Sequence, residues 1–177
     1  VLFRSQMGSI IFCAAHQESA HQISPEIENQ LQLELDAGIV SSDWANEFNA
    51  YISRQRNSAI AAINSHRDNG YSVVGYGAAR SGPTLAIQYG LNNCIEYLLD
   101  DHQSKINKYA VFESLKVFPT TLMNNGIKKI VIILAWLHAK KIIQKHVDFL
   151  KGGGVFLVLW PEVRVINQSN YCLWLEE

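Results

Sequence analysis

Arg80 sits inside the stretch Val73-Val74-Gly75-Tyr76-Gly77-Ala78-Ala79-Arg80-Ser81-Gly82-Pro83-Thr84, and the residues around it could hold an anion. Two β-branched residues run into a glycine-punctuated turn, and Leu85-Ala86-Ile87 continues at helical spacing, so the segment reads as strand, tight loop and helix start. Glycines let the backbone approach an anion closely, and the unpaired N–H groups and positive dipole end of a helix favour negative charge there. The guanidinium adds a forked donor suited to a diphosphate. A dinucleotide-binding fingerprint would carry a third glycine at position 80, whereas the next glycine is Gly82; taken alone, the motif is equally a structural strand-to-helix turn.

Other chemistry-bearing residues fall where strands are expected to end. Asp100-Asp101 follows the apolar run Cys94 to Leu99, and Asp100 stands 25 positions after Gly75, where an acidic residue can accept hydrogen bonds from a ribose hydroxyl or simply be solvated. Trp136 and His138 follow the most apolar run of the chain, and Glu162 follows another. Trp136 offers a stacking surface, and His138 is a general base by type, although its place at a helix start also suits a polar terminal role. This inventory suits a phosphorylated or nucleotide-bearing molecule. It assembles no nucleophile with a base and oxyanion donors, so no catalytic residue is assigned.

The elements that must position these residues alternate. A short apolar run at 9–15 reads as a strand with His16 at its end. Ser24-Pro25 opens a helix whose Ile27, Leu31 and Leu35 share a face until Gly38, and Ser42 or Asp43 caps a longer one carrying Trp44, Phe48, Tyr51, Ile52, Ile60 and Ile63 up to Asp68-Asn69-Gly70. Strands are expected at 71–76, 94–99, 115–118, 129–134 and 155–160, with helices at 81–89 and 139–150 and a brief one from Pro119. Such alternation predicts a Rossmann-like α/β fold, a doubly wound, mostly parallel sheet preceded by two helices and a detached N-terminal strand. The loops after Tyr76, Leu99, Leu134 and Trp160 would share one rim.

Composition narrows the function classes. With 177 residues and a formal net charge of -1, the chain shows no basic stripe that would suggest nucleic acid. The apolar run around Ile130 to Trp136 has the length of a core strand and cannot span a bilayer. Cys13, Cys94 and Cys172 are far apart and include no Cys-x-x-Cys pair, which argues against a zinc site or disulfide framework and fits a reducing cytoplasm. The start, Val1-Leu2-Phe3-Arg4-Ser5, lacks methionine and resembles a translated sequencing adapter, so residues 1–6 read as a non-native leader.

Taken together, Gly8 to His16, Gly75 to Thr84, Asp100-Asp101 with Lys105 and Tyr109 following, Ile133 to Ile143, and Gly152-Gly153-Gly154 with Pro161-Glu162 resemble the C-terminal domain of S-adenosylmethionine-dependent sugar C-methyltransferases. The resemblance covers nearly all of 8–166. It implies that 7–70 is the end of a methyltransferase domain plus linking helices, and that 71–177 is a Rossmann-like substrate-binding domain. It also implies that S-adenosylmethionine and the catalytic base belong to an upstream methyltransferase domain missing here, so that this fragment alone binds no cofactor, holds no metal and is inactive. The strand at 9–15 would then be the last strand of that domain, stripped of its sheet. A nucleotide-diphosphate sugar would meet Gly75, Tyr76, Gly77, Ala78, Ala79, Arg80, Ser81, Gly82 and Thr84, with Asp100, Asp101, Trp136 and His138 on the same rim. The chain departs from the family pattern at Ser81 and Pro83, and at Ala110-Val111-Phe112-Glu113 where a proline-glycine turn is usual. The alternative is a free-standing, non-catalytic Rossmann-like module that binds a nucleotide or a protein.

Overall fold

Prolines, glycines and β-branched runs set the element boundaries. A computed structural model describes residues 2–3 and 9–10 as backbone, and 15–20, 22 and 24–176 in full. Strands β1 (Leu2–Phe3) and β2 (Ser9–Ile10) pair antiparallel, Leu2 opposite Ile10 and Phe3 opposite Ser9. Of the strand expected at 9–15, Ser9–Ile10 is strand and Ala15 is not, and 11–14 lie outside the described residues. β2 belongs to a two-stranded sheet of its own, and its partner there comes from the stretch read as leader.

Helix α1 (Pro25–Asp36) starts behind Ser24 with proline in its first turn, where the missing N–H has no helical partner to lose. It buries none of its residues. Helix α2 (Ser42–Asp68) stacks Trp44 on Phe48 with ring centroids 5.3 Å apart. The chain divides into two compact units, Val1–Ala50 and Tyr51–Glu177, and α2 from Tyr51 onward belongs to the unit that carries the sheet.

That unit follows in order: β3 (Ser72–Tyr76), α3 (Gly82–Gln88), β4 (Leu98–Asp100), β5 (Val117–Pro119), β6 (Lys129–Ile133), α4 (Ala139–Lys145), α5 (Val147–Lys151), β7 (Val155–Val158), β8 (Arg164–Ile166) and α6 (Tyr171–Glu176). The six-stranded sheet runs β5-β4-β3-β6-β7-β8, parallel except that β8 pairs antiparallel with β7. The Rossmann-like α/β class is thus observed. From β3 the chain winds one way to β4 and β5, then returns to place β6 and β7 on the other side. The β3/β6 junction is the switch point beside which open parallel sheets bind ligands.

Alternation along β3 separates two cores. Val73 faces Ala59, Ile63, Ala86 and Tyr89 of α2 and α3, whereas Val74 and Tyr76 face Ala139, Ile142, Ile143 and Phe149 of α4 and α5. Every residue of β6 is buried, the pattern of a strand covered on both faces, and each such Ile contributes about 1.5–3 kcal/mol by leaving water. Lys129 at its start is buried too, and its ammonium donates to the Ile127 carbonyl at 3.1 Å and to Asn125.

Four local expectations are corrected. Strand β4 begins at Leu98 instead of Cys94, because Cys94 closes a turn by donating its N–H to Leu91 O at 3.0 Å. The helix expected over 139–150 breaks at His146, and the one expected from Pro119 is a single 3-10 turn, Thr120–Asn124. Val155–Val158 is not the last strand: β8 and α6 follow it, α6 laying Tyr171, Trp174 and Leu175 on the second core.

Candidate anion-binding cavity

The loop after β3 turns on Gly77, whose φ of +101° is a left-handed conformation that side chains rarely adopt. A Cβ at this position would stand 2.6 Å from Ala135 Cβ, so the loop lies directly on the segment that follows β6. Gly77 donates its N–H to Leu99 O at 2.7 Å, Ala78 to Asp100 Oδ2 at 2.9 Å and Gly82 to Ala79 O at 3.1 Å. Among the described residues, the N–H groups of Ala79, Arg80 and Ser81 meet no acceptor. Helix α3 has only seven residues, so most of what the loop offers an anion is these three amides and the Arg80 guanidinium.

Beside the loop lies a cavity of about 780 Å³. Gly77, Ala78, Ala79, Arg80, Gly82 and Pro83 form one part of its lining, Leu98, Val117 and Leu134 come from the sheet, and Ser104, Lys105, Lys108, Tyr109, Ala110, Val111 and Phe112 complete it. Ser104 and Lys105 belong to a 3-10 turn, and the rest of that segment is part of a hairpin arm over 107–117. Asn107 and Ala110 donate their N–H groups to Val117 O and Leu115 O, each at 2.8 Å, Val117 returns one to Lys108 O at 2.8 Å, and Glu113 and Ser114 make the tip with left-handed φ values of 51° each. The lining carries three cationic side chains, Arg80, Lys105 and Lys108, and no carboxylate. Its remaining surface is largely apolar. It therefore suits a ligand with a multiply charged anionic part joined to a less polar one.

Asp100, at the end of β4, lies beneath this cavity, and Asp101 turns to the other face of the sheet. Asp101 accepts from the Tyr76 hydroxyl at 2.5 Å, from Thr120 Oγ1 at 2.8 Å and from Lys145 Nζ at 2.7 Å. Burial pushes the Asp101 carboxyl up, but the hydrogen bonds from Lys145, Tyr76 and Thr120 and the Lys145 charge outweigh it and hold the group at about 2. Burial, reinforced by the bond to Asp101 and the charges of both aspartates, pushes the Tyr76 hydroxyl up from 10.0. His146 Nε2 stands 3.1 Å from that hydroxyl. Burial lowers its imidazole from the usual 6.5, against the pull of Asp101.

Of the residues expected from sequence, Gly77, Ala78, Ala79, Arg80 and Gly82 line the cavity. Gly75 lies beneath it, its absent Cβ facing Leu98 Cδ2 at 2.5 Å, while Tyr76 and Asp101 belong to the network on the opposite face. Ser81 and Thr84 are exposed beside the lining. Trp136 packs edge-on against Trp160 with centroids 6.2 Å apart, and Tyr51 does the same to Trp160 from α2 at 6.3 Å. His138 is exposed at the start of α4. Lys105, Lys108 and Tyr109 also line the cavity, although the sequence alone assigns none of them to a site. The available signal was two lysines three positions apart, then a tyrosine, in an irregular stretch directly after strand-end aspartates. Among the described residues no cluster of His, Cys, Asp or Glu could hold a metal ion, and no helix is long and apolar enough to cross a membrane.

Residues 5–161 match the family model described as the C-methyltransferase C-terminal domain. The chain belongs to that family. This C-methyltransferase C-terminal domain is similar to C-methyltransferase NovU of Streptomyces niveus, with 29% identity over 164 residues. The similarity takes in 92% of the chain but 39% of NovU, so the chain spans about two fifths of that relative's length. The family match includes the Gly77 loop, Asp100, the hairpin arm and Trp136, and ends before β8 and α6.

Proposed function

We propose that this C-methyltransferase C-terminal domain holds a nucleotide-linked keto sugar by its diphosphate, for methylation at carbon by a methyltransferase domain. The observation that carries this reading is the cavity itself: three cationic side chains and no carboxylate line a space of about 780 Å³, and the adjoining loop holds three unpartnered amides. A diphosphate answers the cations and amides, and the flat, partly apolar remainder of such a ligand answers Leu98, Phe112 and Val117.

The same charge does not fit S-adenosylmethionine, whose sulfonium and ammonium groups are cationic. That cofactor supplies the methyl group from the methyltransferase domain, which would also carry the base that removes the proton next to the keto group. In this chain the cavity binds and orients, and the chain by itself transfers no methyl group. The exposed Ile27, Leu31 and Leu35 of α1, together with the stacked Trp44 and Phe48, support a second role within unit Val1–Ala50, docking of that methyltransferase domain.

Calorimetric titration of the chain with a nucleoside-diphosphate sugar, NAD and S-adenosylmethionine tests the reading. Binding of the nucleotide sugar without S-adenosylmethionine is expected. Binding of NAD alone would favour a free-standing nucleotide module, and no binding of the nucleotide sugar would sink the proposal.

A further inference from the structure

Asp100 stands where a strand-end acid would reach a sugar hydroxyl, yet its side chain is only 10% exposed and its oxygens are already engaged. Oδ1 accepts the His102 N–H at 2.8 Å. Oδ2 accepts both the Ala78 N–H and the Lys105 ammonium, each at 2.9 Å. Those two donors come from separate segments of the cavity lining: the loop after β3 and the turn that precedes the hairpin arm. Three of the carboxylate's roughly four lone-pair sites are thus filled, both of those on Oδ2, and Asp100 itself is not part of the cavity lining.

We infer that Asp100 is a positioning residue: by tying the glycine loop and Lys105 to one oxygen, it sets the spacing at which both meet an anion, without touching the ligand. The inference rests on the anionic reading of the cavity given above. Lys105 can serve carboxylate and ligand together, because an ammonium has three donors and this side chain is 40% exposed. Charge and geometry here act in opposite directions. The negative charge of Asp100 repels an incoming anion, whereas its hydrogen bonds assemble the groups that receive one. A residue acting through charge alone would, when neutralised, tighten anion binding; a positioning residue would weaken it.

The test uses the whole chain, inorganic pyrophosphate as probe, and two variants whose folding is followed by circular dichroism. Asp100→Asn removes the charge at nearly constant shape, and Asp100→Glu keeps the charge while lengthening the arm by one methylene. Both are expected to bind pyrophosphate about tenfold more weakly in calorimetry. Amide hydrogen exchange in Asp100→Asn is expected to speed up in 77–82 and 103–108 together. Unchanged or tighter binding by Asp100→Asn, or wild-type affinity in Asp100→Glu, overturns the inference; should Asp100→Asn fail to fold, Asp100→Glu decides. A wild-type chain that ignores pyrophosphate overturns the anionic reading along with the inference, whereas wild-type binding with unaffected variants overturns the inference alone.

Discussion

Asp100 and Asp101 are neighbours in sequence, yet they serve opposite faces of the sheet and end in opposite situations. On the Asp100 side the carboxylate is nearly buried and tied to Lys105, and Arg80 and Lys108 line a cavity whose lining holds no acid. On the Asp101 side the carboxylate is more exposed but the neighbouring groups are spent on it, since Tyr76, Thr120 and Lys145 all donate to it and His146 backs the tyrosine. Residue type does not separate the two regions, because each holds an aspartate, a lysine and a tyrosine. What separates them is what is left over among the described residues: beside the paired Asp100 and Lys105 stand Arg80 and Lys108 without partners at a cavity, whereas the lysine and tyrosine next to Asp101 are both spent on it.

The contrast can be broken most severely at Gly77. Gly77→Ala forces a side chain into a left-handed φ and against Ala135, and is expected to lower unfolding free energy by about 2–4 kcal/mol in urea titration. A loss well under that range would show that the loop is not pinned there. Arg80→Ala should sharpen the comparison from the Asp100 side, weakening nucleotide-sugar binding by about 1.5–3 kcal/mol while stability moves by less than about 0.5 kcal/mol. Equal affinity would remove Arg80 from the site. Tyr76→Phe acts on the Asp101 side, leaving Asp101 without its shortest donor, and is expected to cost about 1–2 kcal/mol of stability by chemical denaturation.

Smaller effects come from the exposed members of that network. The Asp101 carboxyl titrates below its ordinary value of 3.8, so its contribution to stability is fully present above that value and is lost as pH falls toward about 2. Denaturation curves collected across this window should flatten in Asp101→Asn; a wild-type slope in the variant would show the network adds nothing. Lys145→Met removes an ion pair whose partners are both largely solvated, so a change of at most about 1 kcal/mol is expected, with pyrophosphate affinity unchanged.

The central strands and the glycine loop were legible because their signals are local. β6 is a continuous apolar run, and β3 is a β-branched run closed by glycine. Asp100 was legible as a strand-end acid but not as a tie, since its donors come from segments 22 residues before it and five after it, and no periodicity announces their meeting. The arm over 107–117 escaped for a related reason: its pairing is with itself, and its tip places Glu113 and Ser114, neither of them glycine, in left-handed backbone. β8 and α6 are short elements with few buried residues, so their sequences carry too little pattern to distinguish them from loop.

The hairpin arm has a consequence for how this scaffold can diversify. A ribbon that closes on its own hydrogen bonds can gain or lose residue pairs at its tip with little entropic penalty, and the sheet beneath does not feel the change. Val111, 97% exposed near that tip, shows how lightly the end of the ribbon is constrained by packing. The reach of the arm beside the cavity is therefore an adjustable dimension, set by residue pairs at one tip, while the ties at its base hold Lys105 and the glycine loop in place.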